Sequence, residues 1–397
     1  MRSKPVLVSV FVLACGAAAG ASAQPGAVYA ATNSFAGNAI VVYDRAEDGT
    51  LTLAGTFPTG GQGTGLQVTR PGGKVDPLAS QDSVILSRNG RFLFAVNAGS
   101  DELSSFRVEP HGLTLIGKVG SGGALPVSLT QYGDLLYVLN AGSPANAGSG
   151  ANAANITGFT VNRRGRLLPL AGSTRTLKTG GSGQTFLNDS PSQVAFTATG
   201  EGLVVLDKGR NRFLSFAIGG DGLPSAKPVV SSTVGTLPFA FVLGPRGSFL
   251  SVEIFAKGTT GGPAGASGAS SYYRGADGRL QPLTSSLPDR QTASCWIAWD
   301  GGEFAYTTNT GGDTLTGFRI DRTGRMSLLD PSGLTYAYPR GTAPLDAGIS
   351  RDGRFLYTLN GGTGTVSAFR IELDGHLTSL GEVGGLPVGD TEGLAVR

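Results

Sequence analysis

Short stretches in which apolar and polar residues alternate recur along the chain, each bounded by Gly, Asn, Asp or Ser. Alternation with period two marks a half-buried strand, because successive side chains leave opposite faces of the backbone. The run RFLFAVN from Arg91 predicts a strand, Ala98 to Asp101 a turn, and LSSFRV from Leu103 a second strand. Pro110-His111-Gly112 turns the chain before a further strand from Leu113 to Val119, and SVILS from Ser83 precedes the group. Together these four strands make one antiparallel meander. No segment carries a sustained helical apolar period, so almost no helix is expected.

The meander repeats. First strands of the same kind are SVILS at Ser83, PVSLT at Pro126, QVAFT at Gln193, FAFVL at Phe239, CWIAW at Cys295, DAGIS at Asp346 and EGLAV at Glu392. All but the last run on into second strands (RFLFAVN, DLLYVLN, GLVVLD, SFLSVEI, EFAYTTN, RFLYTLN) and then into third strands such as LSSFRV and VSAFRI. EGLAVR is followed by no second strand, whereas AVYAATN, AIVVYDR and LTLAGTF, from Ala27 onward, are second, third and fourth strands with no first. Complementary fragments complete one unit only in a closed ring, which also removes unpaired sheet edges. The expected fold class is all-β: a seven-bladed β-propeller of four-stranded antiparallel blades, closed by residues 392–397 joining the N-terminal strands. Blades bury their faces only against neighbours, so residues 24–397 are expected to form a single domain. The 64 glycines, about twice the usual share, suit many tight turns.

Residues 1–23 read differently. Arg2 and Lys4 precede an apolar run from Val6 to Leu13, and Ala21-Ser22-Ala23 has the small-residue pattern of a cleavage site. This order predicts a secretory signal peptide and a secreted or periplasmic protein. Val12-Leu13-Ala14-Cys15 also fits a lipoprotein box that would anchor the chain through Cys15. A short membrane anchor is a third reading, diluted by Gly16, Gly20 and Ser22. Removal of this segment lowers the formal charge from +3 to +1, which lacks the footprint of a nucleic-acid binder. It also leaves Cys295 alone, so no intrachain disulfide is expected. The mature chain contains no candidate membrane span, and a monomer is expected.

Two Gly/Ala/Ser-rich inserts, SPANAGSGANAAN from Ser143 and KGTTGGPAGASGAS from Lys257, separate second from third strands. They read as surface loops or as a lid over one face. His111 and His376 fall in outer turns on the opposite face, which leaves no histidine at the channel mouth and excludes Ser-His-Asp, Cys-His and His-zinc arrangements there. Cys295 reads as a buried, inert thiol. Aligning the blades on their second strands puts Glu392, Ser83, Pro126, Gln193, Ala240, Cys295 and Asp346 at one level, with Asp189, Asp390 and Asp82 in the loops leading in.

Asp346, Glu392 and Asp189 are the candidate catalytic acids; Gln193, Asp82, Arg210, Glu253 and Asp390 are candidate ligand-binding residues. Such acids can act as general bases on water, or bind Ca2+ through oxygen, with Asp346 and Glu392 as its ligands. The competing reading has them bonding turn backbone and tying blades together. Arg70, Lys74, Arg210, Lys257, Arg290 and Arg340 lie near the same face and could meet an anionic ligand.

The phrases SRNGRFLFAVNAGSDELSSFRV and SRDGRFLYTLNGGTGTVSAFRI, with GEVGGLPVG near the end, resemble the lactonase-type seven-bladed propellers, a family that includes propeller-class 6-phosphogluconolactonase and the fungal carboxymuconate-lactonising enzyme. The resemblance covers essentially all of residues 24–397 and implies the same ring and a lactone-directed activity. It further implies His and Arg near the starts of the channel strands. The matching positions here are Ser128 in LPVSLT, Ser192 in SPSQVAF, Phe239-Ala240 in LPFAFV, and Pro344-Leu345. Without those basic groups a phosphorylated sugar is a poor fit. Two function classes follow: a hydrolase that opens an uncharged or weakly charged lactone with channel-mouth carboxylates, or a non-catalytic propeller binding a ligand, polymer or protein on its loop-rich face. Lactonising isomerisation is a lesser third. The expected partner is a small-molecule lactone or another extracytoplasmic ligand.

Overall fold

In the computed structural model the alternating runs form antiparallel sheets, and seven of them, each built on a four-strand path, surround a central channel. The structure describes residues 26–65, 68–70, 73–142, 153–179, 189–259 and 264–397. The expected signal segment with Cys15, most of the insert from Ser143, residues 260–263 of the other insert, and the side chains of Arg70 and Lys74 lie outside the described residues. In the blade that carries the repeated phrase, the inner strand Val84–Leu86 leads into Phe92–Asn97, Glu102–Glu109 and Gly112–Gly120, each antiparallel to the one before. Two blades carry a fifth short strand, Arg175–Thr176 and Tyr336–Ala337. The helical elements bounded within the described residues are two 3-10 turns, Lys208–Arg210 and Pro245–Gly247. Among the described residues no helix is long and apolar enough to cross a membrane.

The ring closes as the sequence implies. Leu394–Val396 pairs antiparallel with Gly26–Ala31, matching Val28 to Val396, Tyr29 to Ala395 and Ala30 to Leu394. Backbone bonds continue the ladder at both ends: Ala31 N–H to the Gly393 carbonyl at 3.0 Å, and Arg397 N–H to the Ala27 carbonyl at 2.8 Å. Inner strands neighbour one another all the way round, each standing at the edge of its own sheet.

The second strands are the most buried, with every residue of Phe92–Asn97 and Gly202–Asp207 inside. Tyrosines on three of these strands fasten one blade to the next. Tyr137 donates to the Gly222 carbonyl at 2.7 Å, Tyr306 to Gly375 at 2.7 Å, and Tyr357 to Gly49 at 2.9 Å, the last across the seam. Gly49 is required where it stands. Its φ is +91°, and a Cβ there would lie 2.2 Å from the Phe355 ring.

Candidate functional site

Loops that join fourth to first strands, and second to third strands, emerge on one face of the ring. On that face residues 76–82, DPLASQD, leave the rim and cross the channel mouth. Their contacts reach five blades. Ser80 Oγ donates to the Val127 carbonyl at 2.8 Å, Gln81 N–H donates to the Ser192 carbonyl at 3.3 Å, and Gln81 Nε2 reaches the Phe241 carbonyl at 3.4 Å. Trp296 Nε1 donates to the Ser80 carbonyl at 2.6 Å, and Ile297 N–H to Gln81 Oε1 at 3.1 Å. Glu392 completes the set, accepting the Leu78 and Ser80 N–H groups at 2.6 and 3.0 Å. Asp76, Ala79 and Asp82 all have left-handed φ, at +69°, +52° and +66°. Three such residues within one short segment cost backbone energy that only a dense web of contacts sustains.

Around this crossing the chain gathers acids. Asp346 and Glu392 are buried, at 3% and 1% exposure. Burial pushes the Asp346 carboxyl well up, against the Gly393 N–H that donates to it at 2.7 Å, and Asp82 and Asp76 push it further. Burial likewise raises Glu392, with Asp76 and Asp346 adding repulsion. Asp82 is raised to about 6 by burial, opposed by the Gln193 amide at 2.7 Å. By accessible area it is only partly covered, because it faces the lumen, yet protein surrounds it on all sides.

Among the described residues one ammonium answers these carboxylates. Lys208 follows the buried strand Gly202–Asp207 and is itself 1% exposed. Its Nζ donates to the Ala79 carbonyl at 2.8 Å and lies 5.4 Å from the centre of the Phe239 ring. Burial pushes it down to about 8, while Asp76, Glu392 and the Cys295 thiol pull it partly back. Cys295 is buried. Nothing in the alternation singles out Lys208 or Asp76; the one available signal is a cation placed directly after a strand whose every residue is buried.

The structure separates the remaining expected residues. Asp189 stands beside Gly209, close to the Asp207 carboxyl that burial raises and Arg212 Nε holds at 2.8 Å. Arg210 is exposed and lowers that same carboxyl, and Asp390 is half-buried in the loop before Glu392. Gln193 accepts the Phe241 N–H at 2.8 Å and returns an amide to its carbonyl at 2.9 Å, which binds two blades together. Glu253 is enclosed within its own blade, accepting from Gly235 N–H at 3.2 Å, Ser286 Oγ at 2.7 Å and Ser270 Oγ. Among the described residues no three His, Cys, Asp or Glu side chains are spaced to hold a metal ion. Asp346 and Glu392 instead turn oxygens toward backbone N–H groups.

The level of the channel mouth also needs one correction. Counted along the ladders, it holds Ser128 and Trp296 where the sequence alignment put Pro126 and Cys295. The turns between first and second strands are shorter in these two blades, where Tyr132 pairs with Leu135 and Trp299 with Ala305, than where Leu86 pairs with Leu93, and this brings Ser128 and Trp296 opposite Leu139 and Thr308.

Seven four-stranded blades closed across a seam, with acids and one lysine around a channel crossed by its own chain, define the class: a seven-bladed propeller. No protein-family model and no curated protein sequence matches the chain. Solved structures do share the fold. The periplasmic gluconolactonase PpgL of Pseudomonas aeruginosa aligns with a TM-score of 0.65 and 17% identity, over 94% of this chain and 98% of that one. A proposed 6-phosphogluconolactonase from Bacteroides fragilis aligns with a TM-score of 0.66 and 18% identity, over 95% and 99%. A streptogramin B lyase aligns with a TM-score of 0.52 and 13% identity, over 83% and 89%. A fold that carries both lactonase and lyase names does not by itself fix an activity.

Proposed function

We propose that this propeller is an exported hydrolase that opens the ring of an uncharged or weakly charged lactone at its channel mouth. The observation that carries the reading is Lys208, an ammonium enclosed with Glu392 and Asp76 in a site from which water is largely excluded. In such surroundings a fixed positive charge stabilises a developing oxyanion far better than it would in water. Glu392, made more basic by burial, takes a proton from water, and the hydroxide adds to the lactone carbonyl. Lys208 holds the oxyanion. The ring C–O bond then breaks, and the proton passes to the departing alkoxide, giving a hydroxy acid. Access requires residues 76–80 to lift from Glu392.

The test is a pH-stat screen of aldono- and alkyl-lactones, with and without EDTA, on the wild type, Lys208→Met and Glu392→Gln. Turnover that survives EDTA and falls about a hundredfold in Lys208→Met supports the reading. A calcium role for Asp346 and Glu392 predicts loss in EDTA instead. No turnover above the spontaneous rate on any lactone overturns it. A second reading, a non-catalytic binder acting through its loop-rich face, is favoured by the crossing segment itself, whose bonds to five blades occupy the mouth.

A further inference from the structure

The repeated phrase has a role that the channel does not absorb. Its two copies, SRNGRF from Ser87 and SRDGRF from Ser350, lie in turns between first and second strands, on the face opposite the channel mouth. Their blades flank the seam blade, and the two turns meet across it: Arg351 Nη2 donates to the Arg88 carbonyl at 3.0 Å. Beneath this junction lies a cleft of about 620 Å³ lined by Arg45, Arg91, Arg107, Arg351 and Arg397. That volume lies in the range of small-molecule sites.

The carboxylates nearby are already engaged. Glu109 pairs with Arg107 at 2.6 Å, Asp352 with Arg354 outside the cleft at 2.9 Å, and Asp44 with His111 at 2.8 Å. Arg91 and Arg351 therefore face the cleft with no carboxylate partner among the described residues, while Arg45 Nε donates to the Arg397 oxygen at 3.4 Å. Each is held by something else. Arg45 lies 5.6 Å from the centre of the Phe355 ring and Arg91 5.4 Å from that of Phe92, while Arg351 binds carbonyls of the opposing turn. Planar guanidinium groups fixed in orientation, of which Arg91 and Arg351 have no carboxylate partner among the described residues, match the paired oxygens of a tetrahedral anion.

We infer that this seam cleft is a binding site for a small molecule bearing a phosphate or sulfate group, with Arg91 and Arg351 as the principal contacts and Arg45 as the third. Binding relieves the repulsion among the guanidiniums and joins the blades on either side of the seam. The ligand therefore stabilises ring closure by mass action.

Inorganic phosphate, sulfate, phenyl phosphate and gluconate are titrated into the full-length protein at low ionic strength by calorimetry, alongside thermal melts. The variants are Arg91→Gln, chosen because the Arg91 side chain makes no hydrogen bond among the described residues, and Arg351→Gln, which also loses the turn-to-turn contact. Saturable binding of phosphate and sulfate, a higher melting temperature with ligand, and about tenfold weaker binding in Arg91→Gln are expected. Tighter binding of phenyl phosphate than of the free ion identifies an ester as the ligand form, and the reverse identifies the inorganic ion. No saturable binding by any anion, preference for gluconate over phosphate, or affinity unchanged in both variants overturns the inference.

Discussion

The Lys208 ammonium donates to the Ala79 carbonyl at 2.8 Å, joining a strand end on one blade to a segment that lies across the channel. The bond explains how a backbone with three left-handed non-glycine residues is tolerated, because the crossing is held from above by Glu392 and from the side by Lys208. It also makes the charge of Lys208 a stability question.

Burial pushes Lys208 down to about 8 from 10.5, so between those values the unfolded chain binds more protons than the folded one. Stability then rises with pH across that window, as the cost of enclosing the ammonium disappears. Denaturant melts at about pH 7 and about pH 10 should show the wild type gaining about 2 kcal/mol relative to Lys208→Met. A difference that does not change with pH would mean that Lys208 is solvated.

Asp82 tests the opposite sign. Burial raises its carboxyl to about 6 from 3.8, so the folded state holds the proton more tightly. That contribution is complete below the unfolded pKa and is lost as pH rises through about 6. Asp82→Asn keeps an acceptor for Gln193 and suits the left-handed φ, while removing the ionisation. Relative to wild type it should gain about 2 kcal/mol on going from about pH 4 to about pH 7, read from thermal melts. Parallel stability curves would reject the enclosed carboxyl.

Glu253 is expected to behave as a blade fastener. Ladder register pairs Pro238 with Glu253 as it pairs Ser294 with Asn309 and Pro344 with Asn360. Asn309 and Asn360 fasten their own blades through Thr316 at 2.9 Å and Ser367 at 2.8 Å. Glu253→Ala should cost about 2–3 kcal/mol by leaving buried donors unmet, whereas Glu253→Gln should stay close to wild type at neutral pH. Equal losses in both, measured by chemical unfolding, would show that the negative charge itself is needed.

The ring was readable because period-two alternation and turn residues act locally, so EGLAVR and AVYAATN could be recognised as halves of one blade from their own residues. The crossing segment was not readable. DPLASQD carries no strand pattern, and its partners on other blades lie 47 to 314 residues away. Asp346 and Glu392 were found because they stand at the strand starts, but their attachment to backbone depends on that unseen segment. Aligning SFLSVEI to RFLFAVN by its phenylalanine slips the blade by one residue and hides the equivalence of Glu253 to the fastening asparagines. Pro126 and Cys295 were displaced by the length of the turn between first and second strands, which alternation alone does not fix.

The seam sets a timetable for assembly. Thr391 Oγ reaches the Ala31 carbonyl at 2.6 Å across 360 residues of intervening chain. The first blade therefore waits, with one edge bare, until residues 391–396 have been synthesised. Contacts of such sequence separation form slowly and pay off only once nearly everything between them is in place. The latch that makes the finished ring cooperative thus leaves a growing chain exposed at the same strand, Gly26–Ala31, for the whole of its synthesis.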